Sequence, residues 1–418
     1  MNTDYIFKNK LIDEKNLLLL YIVILSIAII IFSFFCLSDF KIIYSDNQKE
    51  ESEKIIGVNM KGMYTSLNYE RFPSITIPTD YYDQSFKLIK NIGMNHIRYV
   101  LYWEAYENNP SLFLQELENV ANIADKCEIK IFYDNHQYHT SSWLDEKRGT
   151  GFPSFLFDKS LYPRNSGITT SSNSTELWWW TNWWDRNIID QNNKIDGWNL
   201  QANFLKTIVK LLDNYNSTYG YEILNEPQMF SQDQWSKIGE YYKYMTNELR
   251  KQTNKTIVLD MTIPIKFQDP AINLTSENMA KIIPQDSNSI FKISLYGIPK
   301  DNNYQEKKLE LLLNVSKIAK IPIYVGEWNH VNREKKATIA NNTTDDTSKI
   351  NASKSDLSQE ESDFLVNKFN SLKVYGWAFW NWNYVNTPPQ NFNLINLTKN
   401  GDILPTKYFY ILKNSVNK

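Results

Sequence analysis

The 418-residue sequence contains few cysteines and no excess of basic residues. Its two cysteines are Cys36 and Cys127, and Cys36 lies in an apolar stretch near the N-terminus, where it is a poor partner for Cys127. The sequence therefore predicts no disulfide framework. The formal net charge of −2 provides no basic footprint for a phosphate backbone, so we do not expect nucleic acid as a partner.

The sequence also lacks a glycine-rich turn after its first predicted strand and a recognisable zinc-binding motif. Without such a turn, it carries no fingerprint for binding a dinucleotide. His136 and His139, in "HQYH", form a candidate metal pair, but they lack the following acid and the helical context of a zinc site. We therefore expect neither a metal ion nor a cofactor.

A long apolar run near the N-terminus is present. Residues 17–37 carry no charge, and at about 1.5 Å per residue their length matches a hydrocarbon core of about 30 Å. A cleavable signal peptide has a shorter apolar region, about 7–15 residues, and a small-residue cleavage site, whereas a buried core helix would show a polar face. The apolar run has neither the short length and cleavage site of a signal peptide nor the polar face of a core helix. It predicts a single transmembrane helix after a short tail at residues 1–16.

The remainder of the chain indicates which side of the membrane it occupies. Lysines flank the apolar run on both sides, so their distribution does not orient it. The sequence contains nine Asn-x-Ser/Thr triplets, which accept glycans only on the outer side of a membrane; they begin at Asn173, Asn216, Asn254, Asn273, Asn314, Asn341, Asn342, Asn351 and Asn396. We therefore expect an extracellular domain, connected to the anchor by a charged, solvated tether at residues 38–54.

From residue 55 onward, short apolar runs typical of strands alternate with amphipathic helical stretches. The predicted strands lie at residues 54–60, 95–102, 129–134, 220–224, 256–261, 290–296, 321–327 and 374–380. Eight strands alternating with helices predict a closed parallel (β/α)8 barrel, the TIM barrel, over residues 55–418. A doubly wound open sheet is the alternative.

Two acidic residues end predicted strands of this barrel. Glu226, in "GYEILNEPQ", would end the fourth strand, where Pro227 stops the strand and favours an extended backbone at Glu226. Glu327, in "IPIYVGEWN", would end the seventh. Barrel enzymes build their sites at the C-terminal ends of the strands, so both acids would face one mouth. A single strand-end acid would be interpreted as a salt bridge or a helix cap, but two predict an acid and a nucleophile.

These segments and others in the same order resemble glycoside hydrolase family 5, the cellulase and mannanase family of the retaining (β/α)8 clan. "LNEP" and "VGEWN" carry the resemblance, and "IIGVNMKG" resembles the first strand of the family. The other matching segments are "NHIRYVLYW" with Arg98, "FYDNH" with His136, "ISLYG" with Tyr296 and "GWAFWNW" with Trp380. One position departs from the pattern, because Ser294 stands where the family often has the histidine of a His-x-Tyr segment.

The resemblance implies a role for each matched residue. Glu226 would be the general acid/base, and Glu327 would be the nucleophile. Arg98 and Tyr296 would hydrogen-bond the nucleophile and keep it ionised. The remaining residues would contact the reacting sugar, Asn225 through the 2-hydroxyl group, and His136 and Trp380 as part of its subsite.

Two insertions are expected to determine which substrate binds, near residues 139–198 and 331–357. The second is polar and is expected to be solvated. The first contains "ELWWWTNWWDRN", whose indoles would either pack the long loop onto the barrel or stack on successive sugar rings. We expect at least two of these five tryptophans to pack; they are Trp178, Trp179, Trp180, Trp183 and Trp184.

The sequence leads to a functional hypothesis and one alternative. The hypothesis is a membrane-anchored, outward-facing retaining β-glycoside hydrolase, which cleaves a β-linked polysaccharide (a β-glucan such as cellulose, or a β-mannan) by double displacement. A glucosylated lipid is a further possible substrate. The alternative is a non-catalytic glycan-binding surface protein on the same barrel.

Overall fold

A computed structural model shows a closed barrel of eight parallel strands and confirms the predicted (β/α)8 fold. The strands follow one another in sequence order around the barrel, and the last pairs with the first. The structure describes residues 54–67, 80–167, 175–260, 271–297, 303–330, 357–372, 374–383, 392–398 and 400–418. The open-sheet alternative is therefore wrong.

The barrel strands coincide with the predicted runs to within a few residues. They are β1 (Ile55–Lys61), β2 (His96–Leu101), β3 (Lys130–Asn135), β4 (Thr218–Glu222), β5 (Thr256–Asp260), β6 (Ser289–Tyr296), β7 (Ile323–Asn329) and β8 (Gly376–Phe379). Two short antiparallel strands follow, β9 (Ile395–Leu397) and β10 (Ile403–Pro405). Most barrel-strand residues are buried, because one face of a parallel barrel packs in its interior and the other packs against helices.

Helices alternate with the barrel strands, as the amphipathic stretches predicted. They are α1 (Tyr81–Ile92), α2 (Trp103–Asn108), α3 (Pro110–Cys127), α4 (Thr175–Trp184), α5 (Gly197–Leu212), α6 (Gln234–Arg250), α7 (Ser276–Ala280), α8 (Asn303–Ala319), α9 (Gln359–Ser371) and α10 (Lys407–Val416). Local sequence defines several helix ends. The Asn109 side chain caps α3 by accepting from the Leu112 N–H at 3.1 Å, and Ser358 with Glu361 forms a capping box at the start of α9.

The interior of the barrel consists of an apolar layer and a polar layer. The apolar layer lies toward the N-terminal ends of the strands and comprises Ile55, Phe132, Val258, Ile290, Tyr324 and Ala378. Buried polar side chains follow it toward the C-terminal ends, on Asn59, Arg98, Asp134, Glu222, Asp260, Lys292 and Glu327. On β3, β5 and β6, the polar residue lies two positions after the apolar one, which keeps both on the same face of the strand.

The first predicted insertion contains α4 and packs closely. Trp179, Trp180, Trp183 and Trp184 are all buried. The rings of Trp179 and Trp183 stack with centroids 5.3 Å apart, and both contact Phe152. The expectation that at least two of the five tryptophans pack is therefore confirmed.

Several predictions lie outside the described residues. They are the N-terminal tail at 1–16, the transmembrane segment at 17–37, most of the tether at 38–54 and most of the insertion at 331–357. Within the part of the chain that the structure describes, no helix is both long enough and apolar enough to cross a membrane.

Candidate active site

The predicted site residues meet at the mouth formed by the C-terminal ends of the barrel strands. Arg98 lies on β2, Tyr296 ends β6 and Glu327 lies on β7. The others follow strand ends. His136 and Trp380 come directly after β3 and β8, and Asn225 and Glu226 lie a few residues after β4. The fold therefore places these residues, which are separated widely in sequence, around one opening.

Glu327 is directed into the barrel by a bulge in β7. In the β6–β7 register, Val325 pairs with Ile293, and the next pair is Glu327 with Ser294. Gly326 is therefore the extra, unpaired residue of the bulge. Such a bulge re-aims the side chains that follow it. A Cβ atom at Gly326 would lie 2.5 Å from Lys292 Cγ, so the close approach of the two strands requires glycine at this position.

The Glu327 carboxylate is buried and held on both oxygens. Its Oε1 accepts a hydrogen bond from Arg98 Nη1 at 2.9 Å and lies 3.3 Å from Lys292 Nζ, and its Oε2 accepts from the Tyr296 hydroxyl. Burial alone would raise the pKa of Glu327, but Lys292, Arg98 and the Tyr296 hydroxyl hold it well below its usual range. Glu327 is therefore ionised at neutral pH.

Arg98 connects Glu327 to the opposite side of the barrel. Its Nε and Nη2 donate to the Glu222 carboxylate at 2.7 and 2.6 Å. Its Nη1 donates to Asn59 Oδ1 at 2.8 Å, and its Nη2 also donates to Asn225 Oδ1 at 2.9 Å. The fork–fork pairing with Glu222 fixes the plane of the guanidinium, so Arg98 holds Glu327 and Asn225 in defined positions.

Glu226 does not have the extended backbone that the sequence predicted. The fourth strand ends at Glu222, and Glu226 has a φ angle of 41°, in the left-handed region that non-glycine residues rarely occupy. Side chains that are distant in sequence hold the backbone there. The Asp260 carboxylate accepts from the Glu226 N–H at 2.6 Å, and Gln137 Nε2 donates to the Glu226 carbonyl at 2.7 Å. Tertiary contacts thus override the local preference of a residue before proline.

The Glu226 carboxylate differs from that of Glu327. The residue is half-buried, and no described residue forms a hydrogen bond or ion pair with its carboxylate. Among the described residues, it is therefore the contacts to its backbone that hold Glu226 in position.

His136 is held by an acid and an indole. Its Nδ1 lies 2.8 Å from Asp134 Oδ2, and its ring stacks on Trp380 with centroids 5.5 Å apart and an interplanar angle of 17°. Burial lowers the pKa of His136 to about 3, so the imidazole is neutral at physiological pH. Burial also raises the pKa of Asp134 to about 7, against the opposing effect of Arg98.

Comparison with known proteins agrees with this geometry. The family model of cellulase (glycosyl hydrolase family 5) matches residues 49–386. The chain belongs to this family. Membership supports glycoside hydrolase activity and confirms the resemblance on which the site prediction depends. No curated protein matches the chain significantly.

Solved structures with the same fold include an endogalactoceramidase, an endo-glycoceramidase and XacCel5A. An endogalactoceramidase is 15% identical, with a TM-score of 0.60 over 86% of this chain and 80% of that one. Endo-glycoceramidase II from Rhodococcus sp. is 13% identical, with a TM-score of 0.58 over 86% and 78%. XacCel5A in complex with cellopentaose is 15% identical, with a TM-score of 0.53 over 87% and 99%. At these identities, the likeness is one of fold.

A buried lysine lies beside Ser294, the position on strand six at which this chain departs from the family 5 pattern. Ser294 lies where the family often has histidine, and its Oγ lies 3.0 Å from Lys292 Nζ. Lys292 is fully buried and also contacts Asp260 and Glu327. An ammonium group from two residues earlier on β6 therefore occupies the polar environment beside Ser294.

Sequence reasoning missed Lys292, Asp260, Glu222 and Gln137. A signal for the first three was present, because each is a charged residue within or ending an apolar strand. In "IFKISLY", Lys292, Ser294 and Tyr296 are spaced two residues apart, so all three lie on the same face of β6. Gln137 has no comparable signal, since its function in the structure is to hold the backbone of a segment 88 and 89 residues away.

The buried tryptophans of α4 support the segment that carries Glu226. Trp184 Nε1 donates to the Gln228 carbonyl at 2.8 Å. Trp180 Nε1 donates to Thr140 Oγ1 at 2.8 Å, and the Thr140 N–H donates to Gln137 Oε1 at 2.9 Å. Gln137 in turn holds Glu226, so the insertion braces the mouth from outside the barrel.

The arrangement can perform chemistry that needs two carboxylates in different states. One is buried, ionised and fixed by cations, and the other is accessible and free of protein partners among the described residues. Within the described ranges, no group of three or more His, Cys, Asp or Glu side chains could hold a metal ion.

Proposed function

We propose that this chain is a membrane-anchored, outward-facing retaining β-glycoside hydrolase with Glu327 as nucleophile and Glu226 as general acid/base. The observation that carries the proposal is the contrast between the two carboxylates. Glu327 is buried beside Arg98 and Lys292 and is ionised, as a nucleophile must be. Glu226 lies at the same mouth with its carboxylate free of described partners, as an acid/base that contacts substrate must be.

The proposed reaction proceeds in two balanced steps. In the first, a Glu327 oxygen bonds to the anomeric carbon, the bond from this carbon to the leaving oxygen breaks, and Glu226 gives its proton to that oxygen. In the second, Glu226 takes a proton from water, the water oxygen bonds to the anomeric carbon, and the ester bond to Glu327 breaks. Two inversions give net retention of configuration.

The other site residues support the reacting groups. Arg98 and the Tyr296 hydroxyl keep the Glu327 carboxylate ionised and in a single orientation. Asn225 lies between Arg98 and Lys292, from where its amide would bind the 2-hydroxyl group of the sugar. His136 and Trp380 would form the wall of the reacting subsite.

The stereochemical outcome tests the assignment of roles. Retention requires the two carboxyl groups to lie about 5–5.5 Å apart, and the product followed by NMR should appear first as the β-anomer. Turnover should vanish in the Glu327→Ala protein, and azide should rescue it with an α-azide product. An α-anomer as first product would mean inversion and would contradict the nucleophile assignment.

We propose a β-linked polysaccharide, a β-glucan such as cellulose or a β-mannan, as substrate. One structural neighbour, XacCel5A, forms a complex with cellopentaose, which supports the glucan. A glycosylated lipid is the second candidate, supported by neighbours that are glycoceramidases and by exposed apolar side chains of the insertion, such as Leu161 and Trp178. Rates on cello-oligosaccharides, manno-oligosaccharides and micellar lactosylceramide, with product chain lengths, would choose among them.

A non-catalytic glycan-binding protein is the alternative function. It would bind oligosaccharide but release no reducing ends, and the Glu327→Ala change would leave its affinity unchanged. Under the favoured proposal, the same change abolishes hydrolysis while binding persists. Measuring reducing ends and binding on the same protein samples decides between the two.

The location of the protein is part of the proposal. The transmembrane helix at residues 17–37 should retain the chain in membranes after a carbonate wash, and a soluble mature chain beginning after residue 38 would contradict it. Among the predicted glycosylation sites, Asn216, Asn254 and Asn273 are exposed, which is compatible with an outward-facing domain. Removal of glycans by an endoglycosidase should therefore increase the electrophoretic mobility of the protein.

A further inference from the structure

Lys292 is a lysine whose side chain is fully buried inside the barrel. Its Nζ lies 2.7 Å from Asn225 Oδ1, 2.9 Å from Asp260 Oδ2, 3.0 Å from Ser294 Oγ and 3.3 Å from Glu327 Oε1. An ammonium group has three donor hydrogens, so these acceptors satisfy it fully. A buried lysine is costly unless it is paired. Here the charge partners are Asp260 on β5, Glu327 on β7 and, at 4.0 Å, Glu222 on β4.

The sheet itself directs this side chain toward both partners. Asp260, the last residue of β5, faces Lys292 directly in the β5–β6 register. On the other side, Gly326 leaves room for the lysine, because a Cβ atom there would lie 2.7 Å from Lys292 Cε. The glycine of the bulge that places Glu327 in the barrel therefore also provides the space for the Lys292 side chain beside it.

Asp260 has a second contact, and it leads to the other carboxylate. The oxygen that accepts from Lys292, Oδ2, also accepts from the Glu226 backbone N–H at 2.6 Å. Glu226 has a φ angle of 41°, a conformation that a non-glycine residue keeps only where its surroundings hold it. A continuous path thus runs from Glu327 through Lys292 and Asp260 to the Glu226 backbone.

We propose that Lys292 and Asp260 form a positioning pair, in which Lys292 keeps Glu327 ionised and Asp260 holds the backbone of Glu226. The proposal rests on the catalytic functions proposed above for the two glutamates. Neither member of the pair needs to contact the sugar. Each acts on one carboxylate, and the bond between them sets the two carboxylates relative to each other.

The pair would affect the two half-reactions differently. When the Glu327 ester breaks, the carboxylate regains its negative charge beside the Lys292 ammonium, so the lysine favours this departure. Asp260 would affect the first step, in which Glu226 must lie close enough to the leaving oxygen to protonate it. The effect should be large only for leaving groups that need protonation.

The first variant to test is Lys292→Met, with phenyl and dinitrophenyl β-cellobiosides as probes. Without the ammonium, Glu327 still faces Arg98, the Tyr296 hydroxyl and His136. It nevertheless gains a proton at higher pH, so the acidic limb of the kcat/KM profile should move up by about 1–3 pH units. Lys292→Arg keeps the charge and should restore most of the profile. The matched control is Lys130→Met, since Lys130 begins β3 at the opposite end of the barrel and lies over the Tyr219 ring.

The second variant is Asp260→Ala, which removes the acceptor of the Glu226 N–H. We expect kcat/KM to fall about tenfold or more for phenyl β-cellobioside and much less for the dinitrophenyl substrate. A merely structural defect would lower the active fraction for both substrates equally. Trapping with a dinitrophenyl 2-fluoro-cellobioside counts active sites and separates the two cases.

The double variant Lys292→Met/Asp260→Asn guards against loss of folding, because it removes both charges together and keeps an oxygen for the Glu226 N–H. It should show the shifted acidic limb with the leaving-group dependence of the wild type. An active wild type whose acidic limb is unchanged in the folded Lys292→Met protein would overturn the pair alone. A folded wild type that hydrolyses none of the aryl glycosides, polysaccharides or glycolipids would overturn the proposed function and the pair with it.

Discussion

Glu327 and Glu226 lie at the same mouth of the barrel, but the protein holds them by different parts of the residue. The Glu327 side chain accepts from Arg98 and Tyr296 and lies beside Lys292, so charge and hydrogen bonds fix its carboxylate. Glu226 is held through its backbone N–H and carbonyl, and its carboxylate has no partner among the described residues.

This difference matches the demands of the proposed reaction. A nucleophile must stay ionised and in line with the anomeric carbon, so permanent cations beside it are useful. An acid/base must give and take a proton in each cycle, and a strong ion pair would trap it in one state. Fixing the backbone instead positions Glu226 without a bond from the described residues to its carboxylate. Substitutions that remove the contacts of one glutamate at a time should therefore have different effects.

The largest effect is expected for Glu327→Gln, which removes the charge but keeps the shape. We expect kcat to fall by at least about 10⁴-fold, since no glycosyl ester can form, and to fall equally for good and poor leaving groups. Glu118→Gln, an exposed change on α3, is the control and should retain wild-type rates. Substantial hydrolysis by folded Glu327→Gln protein would show that another group is the nucleophile.

The Glu226→Ala change should depend on the leaving group. Phenyl glycosides should react about 10²–10⁴-fold more slowly, because the leaving oxygen is no longer protonated. The dinitrophenyl glycoside should still form the ester, and azide should then speed the second step and give a β-azide. Rates are measured as the initial burst and the steady state. Equal losses for both aryl substrates would mean that Glu226 is not the acid.

Tyr296→Phe removes a hydrogen bond to the ionised carboxylate and should act only on the Glu327 side. The pKa of Glu327 lies well below its usual range and should rise in this variant. The acidic limb of the pH–activity profile should therefore move to higher pH by about 1–2 units. The control is Tyr221→Phe, whose hydroxyl donates to Asp213 at 3.3 Å. An unchanged pH profile in the Tyr296 variant would contradict the proposed contribution of its hydroxyl.

The smallest effect is expected on the backbone anchor of Glu226. Trp184→Phe removes the N–H that donates to the Gln228 carbonyl while retaining most of the buried ring, so we expect about a threefold loss of kcat, confined to poor leaving groups.

Trp178→Ala is its counterpart, since Trp178 is 45% exposed. This change should weaken polymer binding with an unchanged Tm if the indole contacts glycan, and binding and calorimetry measure both effects.

The tryptophan segment also shows where sequence reasoning was too general. Alanine in place of the buried Trp179, Trp180 or Trp183 should cost about 3–5 kcal/mol of stability and would therefore report on folding, not on sugar stacking. Only Trp178 of the five keeps an exposed indole. A run of adjacent tryptophans does not reveal which ring faces inward, because that depends on what the helix packs against.

The sequence by itself determined the barrel, the approximate strand positions and the family, and it predicted the two acids, since short apolar runs, amphipathic helical stretches and short motifs are local properties of the chain. Only the tertiary structure decided three features: the left-handed backbone of Glu226, the pairing of Lys292 with Asp260 and Glu327, and the bracing by Trp184. Each arises between segments that are distant in sequence. Neighbouring strands of a parallel barrel are separated by a whole helical crossover, so the charges that meet inside it are set by register and closure.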